Sequence, residues 1–192
     1  MIWIGIAIIV VLADQLTKIT MTRLLAYGQV EYVNHYVNLV MVYNKGAAFS
    51  FLSDQSGWQR YFFSALAAAV SIFIVWMLNR NANERLFCWS LSLILGGAIG
   101  NLIDRLVYGH VIDFLDVHVN AWHWPAFNVA DSAITIGAAL FVLDELRRTR
   151  RSRGGVGEPL KIPAHLRDAA EGKPSIIITD EDLNADSEVE RE

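Results

Sequence analysis

The chain has 192 residues, 54% of them hydrophobic, and a positive mean hydropathy. That length suits one domain, but the composition is too apolar for an ordinary soluble one. The formal net charge of −4 averages two unlike regions, because residues 1–146 hold only 7 of the 16 Lys and Arg and 10 of the 20 Asp and Glu.

A transmembrane helix needs about 20 mostly apolar residues, and four stretches approach that. The first, about residues 2–24, is apolar for 13 residues and then carries Asp14 and Lys18. It has no basic start and no A-x-A-like cleavage site, so a retained span is expected rather than a signal peptide. "QVEYVNHYVNLVMVYN" is rich in β-branched and aromatic residues and predicts short strands. "FSFLSDQSGWQRYFF" predicts a short interfacial helix, with Trp58 and Tyr61 at headgroup depth. Spans at about 60–78 and 86–104 follow, joined by "NRNANER" with Arg80 and Arg85. The single cysteine, Cys88, excludes an intrachain disulfide and a zinc cysteine cluster, and in "LFCWSLSLI" it reads as a packing residue. Gly96 and Gly100 stand at the GxxxG spacing of close helix packing. "VIDFLDVHV" predicts another strand, and Trp122, Trp124 and Pro125 read as interfacial anchors before a fourth span at about 121–146.

Basic residues in short flanks belong to the cytoplasm. Arg80 and Arg85, and the run Arg147, Arg148, Arg150, Arg151 and Arg153, therefore place both termini there and the strands outside. The expected fold is a mainly α membrane protein of four transmembrane helices, with a small extracytoplasmic β-sheet and a short interfacial helix. Residues 1–150 form this domain, and residues 151–192, ending in "TDEDLNADSEVERE", are expected to be a disordered cytoplasmic tail.

The polar residues of the membrane portion gather at one level. Asp14, Lys18, Asn44, Lys45, Asn101, Asp104, Arg105, Asp113, Asn128 and Asp131 all fall near the outer leaflet, while the inner halves of the spans are apolar. A charge inside lipid costs roughly 2.5–3.5 kcal/mol on insertion scales, so Asp131 marks a functional site. A helix beginning at Ser132 with Asp131 as its cap would leave about twelve residues to cross, so an earlier start is expected. Of Asp113 and Asp116, which a strand turns to opposite faces, one is expected to face Asp131. Asp104 and Arg105 are expected to form an ion pair, as are Asp14 and Lys18, one helical turn apart. Asn44 and Asn128 offer amide donors. His110, His118 and His123 do not match the spacing of a metal-binding helix.

Five segments, "DQLTK", "NKGAAFSFL", "GGAIGNLIDR", "VIDFLDV" and "FNVADSAI", resemble in order and spacing the lipoprotein signal peptidase (signal peptidase II) family of bacterial membrane aspartic proteases. The resemblance implies that Asp113 and Asp131 are the catalytic aspartates, choosing Asp113 over Asp116. It implies that Asn44, Asn101, Asp104, Arg105, Asn128, Gly97 and Ala130 line or brace the site, and that Asp14 and Lys18 support it. It implies an aspartic endopeptidase without cofactor or metal, acting in the bacterial inner membrane with its site towards the extracytoplasmic face. The implied partners are a diacylglyceryl-modified prolipoprotein, cut just before its lipidated cysteine, and membrane phospholipid, with no nucleic acid and with a monomer favoured. A proton-coupled transporter would want polar residues through the full thickness or inverted repeats, and neither is present. A non-enzymatic scaffold leaves the carboxylates unexplained.

Overall fold

The computed structural model describes residues 2–46 and 57–154. The elements run α1 (Ile2–Leu24), β1 (Val30–Asn34), β2 (Val37–Asn44), α2 (Trp58–Arg80), α3 (Arg85–Val107), β3 (Val111–Val119), β4 (Trp122–His123) and α4 (Val129–Gly154). One compact unit, Met1–Arg148, contains everything up to the last turns of α4, and a second begins at Thr149.

Three helices, α1, α2 and α3, are long and apolar enough to cross a membrane. Helix α3 is central: 56% of its apolar stretch is buried, against 17% in α1 and in α2. Small residues let its neighbours approach. A Cβ on Gly96 would stand 2.6 Å from Val10 Cβ, and one on Gly97 would stand 2.3 Å from the Ala130 carbonyl oxygen, which is the backbone proximity expected of the GxxxG stretch. At the far end from the strands, Ala7, Ile74, Leu78, Phe87, Cys88, Leu91 and Leu95 form an apolar cluster. Cys88 is fully buried there, as its packing role required. The Trp3 indole donates to the Ala82 carbonyl and Arg148 pairs with Glu84, so the start of α1, the α2–α3 turn and the Arg148 stretch of α4 share one end.

The strands form one antiparallel sheet in the order β1-β2-β3-β4, from the stretches whose composition predicted strands. In β2, Val40 and Met41 together oppose the single residue between Asp113 and Leu115, a bulge that shifts the register between Leu39 and Val42. A one-residue insertion turns every later side chain to the other face. Helix α3 stops where Gly109, at φ 82°, takes the left-handed conformation, and Arg60 of α2 donates to the exposed Leu106 carbonyl beside it.

Two expectations are corrected. The fourth long helix starts at Val129 rather than near residue 121, because Trp122 and His123 pair with β3 and the segment up to Phe127 bonds along that strand. The stretch Trp58–Phe63 is not a separate interfacial helix but the first turns of α2, while residues 49–56 lie outside the described residues. Helix α4 also continues past residue 150 to Gly154, and the expected disorder of the remaining tail falls on residues 155–192, outside the described residues.

Candidate active site

At the end of the helices nearest the sheet, the predicted polar residues other than Lys45 form one hydrogen-bonded network. Lys18 is its centre. The ammonium, 1% exposed, lies 2.8 Å from Asp14 Oδ2 and 2.8 Å from Asp104 Oδ2, and donates to Asn101 Oδ1 at 2.9 Å. All three of its N–H groups are thereby used. The Asp14–Lys18 pair is as expected, but Asp104 does not pair with Arg105. It belongs to Lys18, and its Oδ2 also accepts the Ile112 N–H at the start of β3. Arg105 instead donates to the Asn101 backbone carbonyl and lies with its guanidinium 5.5 Å from the Phe63 ring.

Gln15 was missed by the sequence reading although it lies inside "DQLTK". Its amide nitrogen is 2.9 Å from Asp104 Oδ1 and 3.2 Å from both Asp14 Oδ2 and the Gly100 carbonyl, tying α1 to α3. Being uncharged, it offered no signal beyond its place in the motif.

Asp131 lies in the first turn of α4, not a turn or two inside it. Asn128 Oδ1 accepts the Asp131 N–H at 2.9 Å, and Asp131 Oδ2 accepts the Asn128 N–H at 3.3 Å. This is a capping box in which asparagine and aspartate take the usual roles of Ser/Thr and Glu/Gln. Asp14 caps the same helix from α1, its Oδ1 accepting the Ala130 N–H at 2.9 Å. Ala130 is fully buried where α1, α3 and α4 meet. A Cβ on Gly100 would lie 2.7 Å from Asp14 Oδ2, so small residues on α3 make room for this cap.

Asp113, 1% exposed, receives two amides: Asn128 Nδ2 donates to Oδ1 at 2.7 Å and Asn44 Nδ2 to Oδ2 at 3.0 Å. Asp131 Oδ1 accepts Asn101 Nδ2 at 2.7 Å. Asn128 thus joins the two carboxylates, its side chain on Asp113 and its backbone N–H on Asp131. Unlike Asp14 and Asp104, neither has a cation within salt-bridge distance among the described residues. Burial, and then the charge of Asp131, push the Asp113 carboxyl from 3.8 to about 7 despite the two amides.

Both strand aspartates are buried, on opposite faces of β3. Asp116 accepts Asn38 Nδ2 at 3.0 Å and lies 2.9 Å from His123 Nδ1. Asn38 and Asn44 are an even number of residues apart on β2 and would share a face in a regular strand. The bulge between them lets each meet its own aspartate.

A groove of about 290 Å³ opens beside Asp131, lined also by Phe63, Leu66, Val70, Ile94, Asn101 and Arg105. Among the described residues, no three His, Cys, Asp or Glu side chains converge as metal ligands. The arrangement is a wall of aliphatic and aromatic side chains that reaches Asp131, with Asp113 buried behind it and joined to it through Asn128, suited to acid–base chemistry on an apolar chain.

A helical membrane protein with a paired-carboxylate site at one end of its helices is the class defined so far. The family model described as signal peptidase (SPase) II matches residues 6–147. A lipoprotein signal peptidase of Janthinobacterium sp. (strain Marseille) is 65% identical over 146 residues, covering 76% of this chain and 88% of that protein. One from Paraburkholderia phymatum is 61% identical over 151 residues, covering 79% and 91%. A bacterial membrane enzyme solved by the in meso method at 2.3 Å superposes with a TM-score of 0.70 at 32% identity, covering 84% of this chain and 93% of that one. The chain belongs to the signal peptidase II family. It is a protease of the bacterial inner membrane.

Proposed function

We propose that this chain removes signal peptides from prolipoproteins by aspartic hydrolysis between Asp113 and Asp131. The observation that carries the reading is the pair of carboxylates, Asp113 buried and Asp131 half-buried, joined by Asn128 and without a cation at salt-bridge distance among the described residues, where a neighbouring pair of aspartates has Lys18. Two such groups in a low-dielectric site share a proton. The charged member takes a proton from water as the hydroxyl oxygen attacks the peptide carbonyl, and the proton of the other member passes to the carbonyl oxygen. Collapse of the tetrahedral intermediate returns that proton to its donor, and the proton taken from water goes to the departing amine.

The bond cut is the one before a diacylglyceryl-modified cysteine, whose acyl chains hold it in the outer leaflet. The apolar groove beside Asp131 supports a substrate of that kind. Helix α4 serves as a fourth span: from Val129 to Leu146 it has 18 residues, about 27 Å at 1.5 Å each, with Asp144 and Glu145 at its inner end. Arg80 and Arg85 in the α2–α3 turn share an end with Arg148, which supports cytoplasmic termini and a site at the extracytoplasmic face. Residues 1–150 constitute the peptidase domain, and the sequence beyond is cytoplasmic. Asn44, Asn101 and Asn128 orient the carboxylates, Asp14, Lys18, Asp104, Gly97 and Ala130 brace them, and Arg105 lines the approach. The test is a gel-shift assay on purified protein with a diacylglyceryl-modified prolipoprotein and its unmodified form. Cleavage of only the first supports the reading, and near wild-type processing by Asp131→Asn would end it.

A further inference from the structure

The proposed mechanism uses Asp113 and leaves Asp116 idle, yet Asp116 is 7% exposed and has a partner set of its own. Asn38 of β2 donates to it, and both its oxygens lie within 3.0 Å of His123 Nδ1 on β4. Burial raises its pKa, but the Asn38 amide and the His123 ring outweigh that and hold it below the ordinary range. The His118 and His123 rings stack with centroids 5.0 Å apart. Both His118 ring nitrogens are buried with no hydrogen-bond partner among the described residues. On its other side His118 shares a cavity of about 430 Å³ with Tyr32, His35 and Tyr36 from β1 and the turn after it. Around Asp116, then, β2 contributes neutral Asn38, β3 contributes His118 and β4 contributes His123.

The position of this pair in the chain gives it reach. From His123 the backbone runs along β3: the Trp124 N–H donates to the Val117 carbonyl, the Phe127 N–H to the Leu115 carbonyl, and the Leu115 N–H returns to the Phe127 carbonyl. The next residue is Asn128, which caps α4 and holds both Asp113 and Asp131. Among the described residues, the Asp116–His123 contact is the one along this seam within salt-bridge distance.

We infer that His123 is a positioning residue: through Asp116 it clamps segment 122–128 to β3 and sets the approach of Asn128 and Asp131 to Asp113. The inference rests on the proposed assignment of Asp113 and Asp131. His123 thereby acts on the two carboxylates while touching neither of them.

The test measures kcat and KM for full-length wild type, His123→Asn and His123→Phe on a diacylglyceryl-modified prolipoprotein. His123→Phe should lose about tenfold in kcat with KM changed less than about twofold. Asparagine keeps a donor towards Asp116, so His123→Asn should recover most of that loss. If His123→Phe does not fold, His123→Ser, too short to reach Asp116, is read in its place. A wild-type kcat in the folded variant, or a His123→Asn no faster than it, overturns the inference. Wild type that cleaves nothing, alongside an equally silent Asp131→Asn, removes the proposed function and the inference with it.

Discussion

Two pairs of carboxylates, all buried but the half-buried Asp131, lie in one network, and they are treated in opposite ways. Asp14 and Asp104 share Lys18, at 2.8 Å each, and both also accept a backbone N–H, Asp14 through Oδ1 from Ala130 and Asp104 through the same Oδ2 from Ile112. Asp113 and Asp131 have amides only. Burying a charge is expensive unless it is paired. The first pair meets that cost with an ammonium and becomes scaffold; the second leaves it partly unmet, and a raised carboxyl pKa is the result. On the proposed mechanism, reactivity comes from an uncompensated charge held in place by a compensated one.

The comparison breaks most visibly by neutralising one member of each pair. Asp113→Asn and Asp131→Asn should lower the cleavage rate by roughly 10²–10⁴, the range for a general acid or base, while the protein still purifies folded from membranes. Asp14→Asn and Asp104→Asn should instead lower the folded yield, with the rate per folded molecule falling much less. Equal rate losses in all four variants would erase the distinction. For wild type, if Asp113 must hold the shared proton, activity should decline as pH rises through about 7; a rate still climbing at pH 8.5 reverses the assignment of the two roles.

Removing the cation sharpens the same point. Lys18→Met leaves Asp14 and Asp104 buried without a partner and should cost about 3–5 kcal/mol, read as thermal unfolding in detergent. Adding Asp104→Asn to it should recover part of that loss, because one orphaned charge is gone. A double variant less stable than the single one would mean that Lys18 acts through packing.

A smaller effect tests the scaffold geometry. Gly97→Ala places a methyl group 2.3 Å from the Ala130 carbonyl oxygen and 2.7 Å from Ile134 Cγ1. Backbone on one side cannot yield, so α4 must shift, at a cost of about 1–3 kcal/mol. Since Asp131 rides on that first turn, the rate should fall further than stability does. A Gly97→Ala protein with wild-type kcat would detach the helix contact from the site.

Much of this was legible before any coordinates. The apolar stretches, the two strand-forming segments and the gathering of polar residues at one level all follow from composition and periodicity; α1, α2, α3 and the strands lie close to where they predict, and α4 starts later. The partners of individual charges were not legible. Asp104 beside Arg105 suggests an ion pair from adjacency, whereas the helix turns Asp104 to Lys18 and Arg105 to Phe63. Asp131 looked buried within a span because "WHWPAFNV" is apolar, while hydrogen bonds to β3 hold that stretch out of the helix. The β2 bulge, on which both the Asn38–Asp116 and Asn44–Asp113 pairs depend, has no glycine or proline to announce it.

The subtlest consequence concerns stability against pH. The folded pKa of Asp113, about 7, lies above the 3.8 of the free group. A raised pKa favours the folded state fully below pH 3.8, and that contribution is lost progressively until about pH 7. At higher pH the folded protein holds a charge it would rather not hold, by an upper bound of roughly 4 kcal/mol. Asparagine does not titrate, so Asp113→Asn should gain on wild type as pH rises. The gain is reduced by about 1 kcal/mol, because an amide facing both Asn44 and Asn128 satisfies only one of them as acceptor. Unfolding midpoints should therefore show the variant level with or slightly below wild type at pH 4 and higher by several degrees at pH 8. A difference that stays constant across that range would mean that Asp113 is ionised throughout, and that Asp131 carries the shared proton instead.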